Sequence, residues 1–131
     1  MTRAEIAVEK HRKGYNCAQS VVCTFADKLG IDESLLYKMV EGFGAGMGTG
    51  KGVCGAMAGV VMISGLVNSN GDIENAGATK AISTRTAGML SKDFIERVGA
   101  LYCRDIKEAG ITSCSDCIAI ATELAEEAFF K

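Results

Sequence analysis

Residues 42–59 read Gly42-Phe43-Gly44-Ala45-Gly46-Met47-Gly48-Thr49-Gly50-Lys51-Gly52-Val53-Cys54-Gly55-Ala56-Met57-Ala58-Gly59. Eight of the sixteen glycines fall here, and up to Gly52 glycine takes every second position. Backbone of this kind can adopt positive φ or approach another group closely. From Val53 the composition turns apolar and stays so to Val67. Periodicity does not settle this second half, because Val60-Val61-Met62-Ile63 alone would serve as a strand. Its length of fifteen residues favours a buried helix, with Cys54 in the first turn. Gly55 and Gly59 lie four apart and leave a smooth strip, open to a facing helix or to a second copy of the chain in a homodimer.

Working outward, the other segments also read as helices. Thr2-Arg3-Ala4-Glu5 has the spacing of a capping box. Ala4, Ala7, Val8 and His11 then share a face until Gly14. Asn16 is a good N-cap for a second helix, running to about Leu29 with Gly30 as its stop. Asp32 caps a third, through Leu35, Leu36, Met39 and Val40, ending near Gly42. After the apolar helix, Asn68-Ser69-Asn70-Gly71 is a turn. Asp72 can cap a helix reaching about Val98, loosely held over 74–80, with Ala87, Leu90, Phe94 and Val98 as its stripe. Gly99 interrupts. A short helix from about Ala100 to Ala109 carries Cys103. Ser113 then caps a last helix through Ile118, Ala121, Leu124 and Ala125. The expectation is a single all-α domain over residues 1–131, a compact bundle of six or seven helices with a glycine-rich loop.

Composition narrows the function. A formal charge of −2, with no basic run, argues against nucleic-acid binding. The charged first residues have no apolar core of signal-peptide type, and the longest apolar run is short for a membrane span. The chain therefore reads as soluble and cytoplasmic, with no membrane partner. Six cysteines without an export signal favour metal ligation or thiol chemistry over permanent disulfides. The chain contains no proline, so the cis-proline that accompanies the cysteine pair of a thioredoxin-like fold cannot be supplied.

Cys17, Cys54 and Cys117 each fall in the predicted first turn of a helix. Free N–H groups and the positive end of the helix dipole stabilise a thiolate there, the form that attacks disulfides and binds metals. Cys23 lies six residues beyond Cys17, on a different face, and reads as a small core residue. Cys114-Ser115-Asp116-Cys117 is a CxxC, readable as a dithiol pair. A zinc reading of it lacks a second pair of like spacing. His11, the only histidine, reads as a helix-end residue packed on the core, with a metal ligand or proton carrier as the functional alternative. Gly50-Lys51-Gly52-Val53-Cys54-Gly55 fits GxGxxG literally, but no strand precedes it, which argues against a dinucleotide site. The loop is better read as folding closely over a cofactor or over facing helices. Glu126-Glu127 reads as a solvated face.

Several of these segments together resemble one family. They are Gly14-Tyr15-Asn16-Cys17-Ala18-Gln19-Ser20-Val21, the glycine loop, Cys54-Gly55-Ala56-Met57-Ala58-Gly59, Cys103-Arg104-Asp105-Ile106 and the cysteine opening the last helix. In order and spacing, from about residue 4 to 127, they resemble the redox-active protein family named C_GCAxxG_C_C. The resemblance implies that the family's four cysteines are Cys17, Cys54, Cys103 and Cys117, with Cys23 and Cys114 outside the pattern. It also implies a redox role. The family is similar to the non-haem part of split-Soret cytochromes, where an iron–sulfur centre accompanies haem. No Cys-x-x-Cys-His is present here, so covalent haem is not expected.

Three functions follow as expectations. The first is an electron-transfer protein in which Cys17, Cys54, Cys103 and Cys117 bind an iron–sulfur cluster, [2Fe–2S] in the simplest case, serving an unidentified redox protein partner. The second is a metal-free thiol–disulfide protein with Cys54 or Cys117 as nucleophile. The third is a helical interaction module held by structural zinc.

Overall fold

The computed structural model describes residues 1–110 and 112–131. Thr2 opens helix α1 (Arg3–Arg12) with a closed capping box: its hydroxyl accepts from the Glu5 N–H, and Glu5 accepts from the Thr2 N–H. Asn16 and Gln19 repeat the arrangement at the start of α2 (Cys17–Cys23). The sequence predicts one helix from Asn16 to Leu29. Instead the chain bends at Thr24 and Phe25, and a separate turn, α3 (Ala26–Leu29), follows. Two hydroxyls prepare the bend: Ser20 Oγ donates to Asn16 O and Thr24 Oγ1 donates to Ser20 O, each at 2.7 Å. Such back-bonding bends helices. Phe25 then turns inward and stacks on Phe130 with ring centroids 4.8 Å apart.

Asp32 caps α4 (Glu33–Val40), which buries Leu36 and Val40 but leaves Leu35 and Met39 exposed. One tight turn (Glu41–Phe43) leads into the glycine loop. Helix α5 (Gly55–Asn68) begins later than expected, because Val53 pairs with Tyr102 in an antiparallel bridge. Cys54 is therefore the N-cap rather than a residue of the first turn.

Asp72 caps only the single turn Ile73–Asn75, and α6 (Lys80–Val98) starts after it. Ile73 is 85 % exposed, so no burial stabilises helix there, and Gly77 at φ +88° lies outside helical geometry. Past Gly99, Tyr102 is extended and bridges Val53 in the loop before α5, so α7 (Cys103–Ala109) begins at the cysteine rather than at Ala100. Ser113 caps α8 (Cys114–Phe129) by accepting from the Asp116 N–H.

The described residues are thus all-helical, with eight α-helices and no strand beyond the one bridge; the eighth helix comes from the break after α2. Helix α5 is the centre. It buries Met57, Val60 and Ile63 and packs against α2, α6 and α8. The strip at Gly55 and Gly59 is occupied by α2 of the same chain: a Cβ on Gly59 would lie 3.2 Å from Ala18 O and 3.1 Å from Val22 Cγ2. Among the described residues no helix is long and apolar enough to cross a membrane.

Two substitutions separate close packing from helix propensity. At Gly55 a Cβ would sit 2.9 Å from Phe43 O and inside contact range of the Cys17 sulfur, so Gly55→Ala should destabilise by about 1–3 kcal/mol. At Gly88, in the middle of α6, a Cβ meets nothing within 4 Å, so Gly88→Ala should stabilise by about 0.5–1 kcal/mol. Urea unfolding midpoints with unchanged slopes would show these opposite signs.

Candidate functional site

Four helices send their N-terminal ends to one place. Cys17 is the first residue of α2, Cys103 the first of α7 and Cys114 the first of α8, while Cys54 caps α5. The fifth thiol, Cys117, lies one turn into α8. These five cysteines line a single cavity of about 210 Å³, together with His11, Ala45 and Lys107 among others. The structure thus brings together all four residues that the sequence singles out, Cys17, Cys54, Cys103 and Cys117, and adds Cys114. Cys23 is elsewhere, as its helix face predicts. It is buried in the core with its thiol 3.8 Å from Glu33 O, and burial pushes it up to about 11.

Two backbone hydrogen bonds set the cavity wall. The Cys54 N–H donates to Leu101 O at 2.8 Å, and the Cys103 N–H donates to Gly52 O at 2.9 Å. They hold the two cysteine-bearing helix starts side by side, although the residues lie far apart in sequence. The glycine loop closes over them. A Cβ on Gly46 would stand 2.8 Å from the Cβ of Cys103, and one on Gly55 would collide with the Cys17 sulfur. Side chains at these positions would fill the space that the thiols occupy. The closure also puts two non-glycine residues, Ala45 and Met47, at positive φ (53° and 62°). Backbone strain of this kind is held in place only by surrounding contacts and tends to mark functional sites.

The thiols are not equivalent. Cys54 is brought down to about 7, chiefly by hydrogen bonding from the Cys117 thiol. Burial opposes this shift, while the N–H groups of Ala56 and Met57 and the charge of Lys107 support it. Cys117 moves the other way, because its proton is held against the Cys54 sulfur and because it is buried. Burial also raises Cys17, although the Ala45 N–H bonds to its sulfur and partly offsets the effect. Of the pair, Cys54 is therefore the thiol that loses its proton first, and Cys117 is the one that keeps it.

His11 stands at the edge of the cavity with Nδ1 2.9 Å from Tyr15 O. A carbonyl oxygen only accepts, so Nδ1 carries the proton and a neutral ring keeps its lone pair on Nε2. Sequence reasoning missed Lys107. Its signal was the spacing of four from Cys103, which puts both on one face of α7.

The donor chemistry suits a soft metal or a sulfide-bridged group, since thiolates are the normal ligands of both. A single tetrahedral ion needs its ligands to meet at about 2.3 Å from one point. Among the described residues no three Cys, His, Asp or Glu side chains do so.

The sequence model of the family described as "Putative redox-active protein (C_GCAxxG_C_C)" matches residues 15–128. No curated protein and no solved structure gives a significant match.

The thiolate assignment has a pH signature in the metal-free protein. Alkylation of Cys54 by a small reagent should reach half its limiting rate near pH 7, below the value of about 8.5 for a free thiol. Replacing the hydrogen-bond donor, in Cys117→Ala, should move that midpoint upward. A midpoint unmoved by Cys117→Ala would show that the pair is not coupled.

Proposed function

This chain belongs to the C_GCAxxG_C_C family, and on that footing we propose that it is an electron-transfer protein whose Cys17, Cys54, Cys103 and Cys117 hold an iron–sulfur cluster, [2Fe–2S] in the simplest case. The observation that carries the reading is that these four thiols, from four separate helices, line one cavity. Four thiolates are the usual complement of such a cluster. Bound there, it would take up and release one electron at a time.

The chain's own residues supply the rest. The N-terminal ends of α5 and α8 lie at the cavity, and their positive dipole ends favour the negative charge of several thiolates. Lys107 adds a positive side chain at the same cavity. The glycine loop brings backbone rather than side chains against the sulfurs. The Ala45 N–H to Cys17 and the Ala56 and Met57 N–H groups to Cys54 are bonds of the kind that tune a cluster's potential. The electron partner is a second redox protein.

A second reading has its own support. The hydrogen bonding between Cys54 and Cys117 fits a metal-free dithiol that cycles to a disulfide, with Cys54 as nucleophile.

Anaerobic reconstitution with iron and sulfide separates the two. The cluster reading expects visible absorption with about two irons and two sulfides per chain. The colour should be lost in Cys54→Ser and kept in Cys23→Ala. A colourless, iron-free product would overturn it, and a Cys54–Cys117 disulfide after mild oxidation would then favour the dithiol. One zinc per chain without colour would favour a structural metal.

A further inference from the structure

Cys114 lies outside the four-cysteine set, yet it is a wall residue of the same cavity and the exposed one among five thiols. Cys54 and Cys117 are only 7 % and 3 % exposed. A disulfide-containing molecule cannot bring its sulfurs in line with either of them without opening the site. Cys114 is three residues before Cys117 on α8, a spacing that puts the two on one helix face about 5–6 Å apart at Cβ. Cys54 lines the same cavity as Cys117. Going in from solvent, the exposed Cys114 is thus followed by two buried thiols, Cys117 and Cys54.

We infer that Cys114 is the solvent-side exchange thiol of this row, through which the metal-free chain accepts oxidising equivalents from a low-molecular-weight disulfide. This goes beyond the cluster reading and concerns the chain before any metal is bound. In the first step the Cys114 thiolate attacks one sulfur of the small disulfide. A mixed disulfide forms on Cys114, and one small thiolate leaves. The Cys117 sulfur, losing its proton, then attacks the Cys114 sulfur. The second small thiolate leaves, and a Cys114–Cys117 disulfide remains. Finally the Cys54 sulfur, losing its proton, attacks the Cys117 sulfur and releases Cys114 as a thiolate. The net change is one buried Cys54–Cys117 disulfide and two small thiols. Two electrons pass from the protein to the small disulfide, and the two protein protons end on the products. The buried disulfide removes two members of the four-cysteine set, so the same route run backwards by a small thiol restores them.

The helix geometry favours this order. Residues 114–117 are the first turn of α8, whose N–H groups have few intrahelical partners, so the turn can tighten toward the shorter Cβ separation of a disulfide.

The test uses the full-length metal-free protein and glutathione disulfide, with acid quenching and peptide mapping. Cys117→Ser should accumulate glutathione on Cys114. Cys114→Ser should form the Cys54–Cys117 disulfide at least about tenfold more slowly than the unsubstituted chain, with its helical circular dichroism unchanged. Glutathione captured first on Cys54, Cys17 or Cys103 would overturn the inference, as would an undiminished rate in Cys114→Ser. Iron and sulfide binding by Cys114→Ser reports separately on the cluster. The exchange route and the cluster can therefore fail independently.

Discussion

Two backbone hydrogen bonds, from Cys54 to Leu101 and from Cys103 to Gly52, fasten the loop before α5 to the loop before α7. Everything about the site depends on that junction. It ends the glycine loop, stops α5 and α7 from starting earlier, and presents two cysteines at neighbouring helix ends. The glycines follow from it. Once the two loops are paired, the backbone at Gly46 and Gly55 passes so near Cys103 and Cys17 that no Cβ can be accommodated. A glycine-rich stretch that looks like flexibility in the sequence is thus closely packed in the fold.

The electrostatics follow from the same placement. An N-cap side chain normally offers an oxygen to the first free N–H groups of its helix. At α5 the capping residue is Cys54, whose side chain makes no capping hydrogen bond, although the nearby N–H groups of Ala56 and Met57 help to lower its pKa. The larger cause of the low pKa is the neighbouring Cys117 thiol. Cys117 completes the arrangement by keeping its proton. A cysteine placed only by packing behaves differently: Cys23 is buried without N–H donors or a cationic neighbour strong enough to offset burial, and its thiol stays protonated. What separates Cys23 from the site thiols is its place in the core, away from the cavity.

The caps were legible in the sequence because they are local. Thr2 with Glu5, Asn16 with Gln19, Asp32 and Ser113 each bond to backbone within three residues, and each stands where the sequence places it. The misplaced boundaries have distant causes. The bend at Phe25 is coupled to stacking on Phe130, at the other end of the chain. The starts of α5 and α7 are set by the pairing of Val53 with Tyr102. The site shows the same split. Cys17 and Cys117 were readable from nearby helix starts. The convergence of Cys103 came only from the family resemblance, because a long-range bridge decides where its helix begins. Ala45 reaches the cavity through tertiary structure and had no comparable signal, while Lys107 is marked only by its spacing of four from Cys103.

The central claim is that four cysteines from four helices act as one ligand set while Cys114 stands outside it. Differential alkylation read by peptide mass spectrometry tests this most directly, comparing iron- and sulfide-loaded protein with protein stripped of both. The account predicts that Cys17, Cys54, Cys103 and Cys117 become protected together on loading, that Cys114 stays reactive in both states, and that Cys23 does not change. Protection confined to Cys54 and Cys117, or protection that includes Cys114 and omits Cys103, would contradict it.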